Sequence, residues 1–282
     1  MTRSPIPKPR ARWAALLIVA ALPACSTQHV AAPAATFDRL AHVPDFARKP
    51  YAPFSRTDAV AIAVREWRLF GEPVDDDPPD TRPPPPPEQK PERMPGLWQR
   101  IGEYWWIGQD ADHTESRWTG RNDEYGSEFP AEVDANYAWS AAFLSYVMRI
   151  AGAGPRFPYA PSHSIYINAA RQVSLGQTSA WAVEAEAPDA YAPRLGDLIC
   201  AGRGSAKRMR FADLPTQNTF PSHCALVVST GRQLSVIGGN VDDAVTLTHV
   251  PTTVDGKLAP TGGPPVDTRY PWFVVLRVMY DY

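Results

Sequence analysis

Ser140, His223 and Asn240 are the residues whose types and settings are suited to chemistry. Ser140 stands in Tyr137-Ala138-Trp139-Ser140-Ala141-Ala142-Phe143, where a helix is expected to begin. His223 opens the apolar run Cys224-Ala225-Leu226-Val227-Val228, and Asn240 closes Val236-Ile237-Gly238-Gly239. A hydroxyl at a helix start lies among unpaired N–H groups and the positive end of the helix dipole. An imidazole within reach would take its proton during attack, and an amide would orient the ring. Each residue also has an ordinary use. Serine commonly caps helices, a histidine can close a strand half-buried, and Asn after two glycines tolerates a left-handed turn. His163, in Pro161-Ser162-His163-Ser164, is a second histidine that could line the same cleft. Trp139 and Arg203 are further candidates for its walls, Arg203 opening a basic stretch with Lys207, Arg208 and Arg210.

The surrounding pattern predicts the elements that must hold these groups. A helix opens at Ser55 and runs to Phe70, with Val60, Val64 and Trp67 on one face and Gly71 as its stop. A second runs from Met94 to Ile107, and a third from Ala138 to Ile150 with Ala142, Phe143, Tyr146, Val147 and Ile150 inward. Residues 108–133 read as irregular. Thereafter the chain reads as strands and turns, with strands at 197–200, 223–228, 233–237, 244–248 and 273–278. Helices first and strands later predict an α+β domain, N-terminal helices packed on a small antiparallel sheet. Between the first two helices, residues 72–95 carry an acidic run and Pro83–Pro87, and should form an exposed, extended loop.

The N-terminus has a different character. Arg3, Lys8, Arg10 and Arg12 precede a short apolar run from Trp13 to Leu22, the pattern of a secretory leader too short to span a bilayer. Leu22-Pro23-Ala24-Cys25 resembles the lipobox of bacterial lipoproteins, which implies a signal peptide over 1–24 and lipidation of Cys25. Residues 25–50, rich in Ala and Pro, then read as a tether, and 51–282 as the folded domain. Ser26 after the cysteine implies, by analogy, the outer membrane facing the periplasm. A net charge of −2 gives no electrostatic case for nucleic acid. With Cys25 lipidated, Cys200 and Cys224 remain, both in strand-like runs. In an oxidising compartment they form a disulfide if their strands are neighbours, and otherwise two buried thiols.

Taken in order, Trp139-Ser140-Ala141-Ala142-Phe143, Gly196-Asp197, strand-initial His223 and Gly238-Gly239-Asn240 resemble the signature of the CHAP and NlpC-type amidase and peptidase superfamily. The chain is more closely similar, from about Tyr51 to Val278, to domain-of-unknown-function family 2272. The resemblance implies a papain-like fold and action on peptidoglycan peptides, with Ser140 as nucleophile, His223 as base and Asn240 as its orienting group. The superfamily's nucleophile is a cysteine, and here the position is Ser140. A thiol of pKa about 8.5 can be ionised by a helix terminus, whereas a hydroxyl needs base assistance during attack. Three functions follow: amide hydrolysis, acyl or peptidyl transfer, and cell-wall binding by an inactive relative. No cofactor is called for, and no His/Cys/Asp spacing suggests zinc.

Overall fold

In the computed structural model, residues 53–281 are described, apart from Asp80, Arg82 and Ala111. The expected leader, the Cys25 lipidation site and the tether lie outside the described residues. Among the described residues four α-helices, α1 (Arg56–Leu69), α2 (Leu97–Gly108), α3 (Ser140–Ile150) and α4 (His163–Ser174), precede six strands. These are β1 (Val183–Glu186), β2 (Leu198–Gly202), β3 (Ser222–Ser229), β4 (Gln233–Val241), β5 (Ala244–Pro251) and β6 (Trp272–Val278). They form one antiparallel sheet in the order β1-β6-β2-β3-β4-β5. The architecture is therefore α+β, and among the described residues no helix is long and apolar enough to cross a membrane.

The five expected strands form where β-branched and aliphatic runs lie between turn residues, each with slightly different ends. Their runs are continuously apolar because both faces of the sheet are covered. One face, with Leu198, Cys200, Cys224, Leu226, Ile237 and Leu276, packs on the helices. The other, with Ile199, Ala225, Val227, Val236 and Trp272, packs on Leu258 and on the partly buried Tyr191 and Tyr270. One α-helix and one strand went unread in the sequence, α4 and the short β1 that pairs with β6. The α4 segment carries its apolar residues as Tyr166, Ile167 and Ala170, a helical spacing diluted by polar neighbours.

The inner face of α1 differs from the expected one. Ser55 caps the helix through Asp58 N–H at 3.2 Å, but the buried residues are Ala59, Ile62, Ala63 and Glu66. Val64 and Trp67 are only partly buried. Glu66 explains the rotation. Its carboxylate accepts hydrogen bonds from Arg100 and from Tyr104 of α2 (2.7 Å each to Oε2) and from Arg65. Buried charge is tolerated only when paired in this way, and the pairing ties α1 to α2. In α3 the burial is nearly complete from Ser140 to Met148, whereas Ile150 is exposed.

The proline-rich loop is not a free excursion. Asp75 N–H bonds to Leu247 O (2.9 Å) and Leu247 N–H to Pro73 O (3.0 Å), so the loop begins as a cover on edge strand β5. Such cover satisfies an edge that would otherwise pair with another chain. The side chain of Asp76 holds His249 through its backbone N–H and Nδ1. At the far end, Lys90 and Arg93 both hold Asp134, and Glu92 is buried against Trp139.

Candidate functional site

Two helix N-termini meet at Ser140. It is the first residue of α3, with Trp139 in the cap position and making no capping bond, so Ser140 is not the helix cap. Its hydroxyl instead lies 2.7 Å from Nε2 of His163, the first residue of α4. Nδ1 of His163 is hydrogen-bonded to the hydroxyl of Tyr166, one turn along the same helix. Ser140, His163 and Tyr166 thus form one buried polar chain, exposed by 9%, 3% and 0%. Burial holds His163 well below its usual pKa, helped by His223 and Arg203, so the imidazole is neutral. Its place at a helix N-terminus acts in the same direction. Burial likewise raises Tyr166, which keeps its proton.

The expected grouping of Ser140, His223 and Asn240 is redistributed. His223 packs edge-on against His163, ring centres 5.5 Å apart, and lines a cleft on the sheet face away from the helices. Among the described residues it makes no hydrogen bond to Ser140 or Asn240. Burial, with Arg203 nearby, lowers its pKa to about 3. Asn240 adopts φ 55° at a bulge where β4 slips against β5 between Gly238 and Val241. It lines the same cleft but fills the left-handed turn position rather than orienting the histidine. Arg203 does line this cleft, whereas His163 lies behind it. Trp139 is core rather than cleft wall: it is 1% exposed, packs on Phe70 and Tyr104, and donates from Nε1 to Glu92 at 2.9 Å.

The two glycines before Asn240 acquire separate reasons. A Cβ at Gly238 would come within 2.7 Å of His223 Nε2, and one at Gly239 within 2.7 Å of Phe143 Cβ. One glycine makes room for the histidine on one face, and its neighbour lets α3 sit against the other. Gly196-Asp197 is a structural pair as well. Asp197, 1% exposed, accepts from Arg194 N–H, Val278 N–H and the Tyr191 hydroxyl, pinning the start of β2 to the end of β6.

Cys200 and Cys224 are opposite each other in the β2–β3 register, Cα atoms 4.1 Å apart, and are joined by a disulfide. Among the described residues no cluster of three His, Cys, Asp or Glu is arranged to hold a metal ion.

A bacterial family described as "Uncharacterized protein conserved in bacteria (DUF2272)" matches residues 92–278. The match begins at Glu92 rather than near Tyr51, so it includes Ser140, His163 and His223 but not α1. No curated protein and no solved structure matches the chain.

Proposed function

The chain belongs to domain-of-unknown-function family 2272, and from the geometry of its site we propose that it is a cell-envelope lipoprotein whose papain-like domain hydrolyses amide bonds in peptidoglycan peptides. The observation that carries this reading is the 2.7 Å contact between Ser140 Oγ and His163 Nε2 at the start of a buried helix. A nucleophile and a neutral base within hydrogen-bond reach are the minimum for acyl transfer. His163 takes the role expected of His223, and Tyr166 the role expected of Asn240.

In this mechanism Ser140 attacks the amide carbonyl while its proton passes to Nε2, the Nδ1–H of His163 bonding to the Tyr166 oxygen. The oxyanion is stabilised by N–H groups of the first turn of α3, which have no partner within the helix. His163 then protonates the leaving amine, and water releases the acyl group from Ser140. A helix-borne nucleophile backed by an antiparallel sheet supports the papain-like reading. The leader-like N-terminus and the disulfide support an oxidising compartment outside the cytoplasm.

Incubating purified protein with muropeptides and weighing the products tests the proposal. Cleavage is expected to vanish in Ser140→Ala and His163→Ala, and cleavage that persists unchanged in both overturns it.

One observation favours a second reading, an inactive relative that binds cell-wall peptides. Among the described residues the Tyr166 hydroxyl has His163 Nδ1 as its hydrogen-bond partner. If the tyrosine donates there, the imidazole proton sits on Nε2 and points at Ser140, the wrong tautomer for a base. The opposite tautomer leaves a buried O–H unsatisfied, at a cost of about 1–3 kcal/mol. This reading expects saturable muropeptide binding without products, and cleavage appearing in Ser140→Cys.

A further inference from the structure

We propose that the cleft on the outer face of the sheet is a binding site for a small zwitterion, an amino acid or short peptide with free ammonium and carboxylate ends. This goes beyond the hydrolase reading and stands without it, because the cleft lies on the face opposite α3. Its cavity volume is about 60 Å³, where about 10–15 Å³ on the same measure holds one water, so the space suits a small molecule or the end of a peptide. His223 forms part of its wall and is 5% exposed, with no hydrogen bond to another described residue. A polar ring held that deeply normally has a partner. Here the cleft is where a partner would come from, and glycine at 238 keeps the ring's position open.

The charges say what kind of partner. Arg203 lines the cleft together with Asp75 and Asp242, and Tyr270 stands among all three. Their fields meet at the Tyr270 hydroxyl, which burial and the two aspartates push up to about 12 against the opposing effect of Arg203. A simple anion would meet two carboxylates, and a simple cation would meet the guanidinium. A molecule with both charges can place each beside its opposite, with the neutral His223 and the Asn240 amide as hydrogen-bonding groups. Free amino acids and peptide ends share this chemistry.

Isothermal titration of the full-length chain with alanine, dialanine, N-acetyl-dialanine and dialanine amide tests the site. Saturable binding of alanine, dialanine or both is expected, weakened at least tenfold when either terminal charge is blocked. Alanine alone indicates a free amino acid, and dialanine alone a peptide end. Arg203→Gln should erase the preference for a free carboxylate, and Asp242→Asn that for a free ammonium. In the wild-type protein the His223 ring resonances should shift with the same midpoint, a readout that needs no variant to fold. Ser140→Ala should bind unchanged, so loss of the hydrolase reading leaves this result intact. Equal binding of all four probes, binding of none, or unmoved His223 resonances overturns the proposal.

Discussion

Ser140 Oγ lies 2.7 Å from His163 Nε2, although 23 residues and a change of helix separate them. That contact exists because α3 and α4 both start at the same buried point, and it makes His163 rather than His223 the neighbour of the hydroxyl. The two histidines nevertheless touch, one facing the serine and the other the outer cleft. The hydroxyl of Ser140 and the outer cleft are therefore linked through one ring contact.

The buried histidines should make the fold acid-sensitive. Both pKa values are lowered by burial, His223 to about 3, from an ordinary 6.5. Above pH 6.5 each is neutral whether folded or unfolded. Below it the unfolded chain binds protons that the folded one refuses, so stability falls as pH drops from 6.5 towards 3. For His223 the loss should be about 1.4 kcal/mol per pH unit, and His163 acts in the same direction. In denaturant titrations at a series of pH values, the wild type and His223→Asn should differ by this slope between pH 6.5 and 3.

Glu92 should act in the opposite direction. Burial, with Asp243 adding repulsion, pushes its carboxyl up to about 8 from 4.5, and Trp139 bonds to it. Between those values the folded chain holds a proton that the unfolded chain gives up, so stability falls as pH rises. Glu92→Gln removes that dependence. Its melting temperature should exceed that of the wild type by about 4 °C or more at pH 8, and match it near pH 4.5.

The disulfide should contribute substantially to stability. Cys200 and Cys224 link the central strands β2 and β3, and their separation of 24 residues closes a sizeable loop. Cys200→Ser with Cys224→Ser should cost about 2–4 kcal/mol in denaturant unfolding. Reductant should lower the melting temperature of the wild type and leave the double variant unmoved.

Adjacent glycines should give separable effects. Gly239→Ala forces a methyl towards Phe143 and Trp139, costing about 1–3 kcal/mol by overpacking and disturbing Ser140 through its neighbour. Gly238→Ala pushes on His223 instead. Muropeptide cleavage should fall mainly in the first, and perturbed His223 ring resonances should appear mainly in the second.

Much of the fold was legible from local chemistry. Ser55 announced α1 through its side-chain cap, and Gly152, at φ 95°, stopped α3. The strands β2 to β6 follow aliphatic runs broken by Gly, Pro and Asp, since strand preference and turn chemistry are properties of neighbouring residues. The ordered motifs around Ser140, His223 and Asn240 were also sufficient to identify the family. Helix α4 escaped because its buried face includes His163 and Ser164, polar residues that hide a helical period.

What sequence order does not determine is which distant groups come into contact. The burial of Glu66, and with it the rotation of α1, depends on Arg100 and Tyr104 arriving from α2. The union of Cys200 with Cys224 depends on the β2–β3 register, and the rooms for His223 and Phe143 on two glycines facing opposite sides. The choice between two histidines for Ser140 was likewise made by packing. A hydrogen bond requires approach within about 3 Å, a distance set jointly by helix placement and sheet register. The residues able to do chemistry were already named in the chain; their partners were assigned by the tertiary structure.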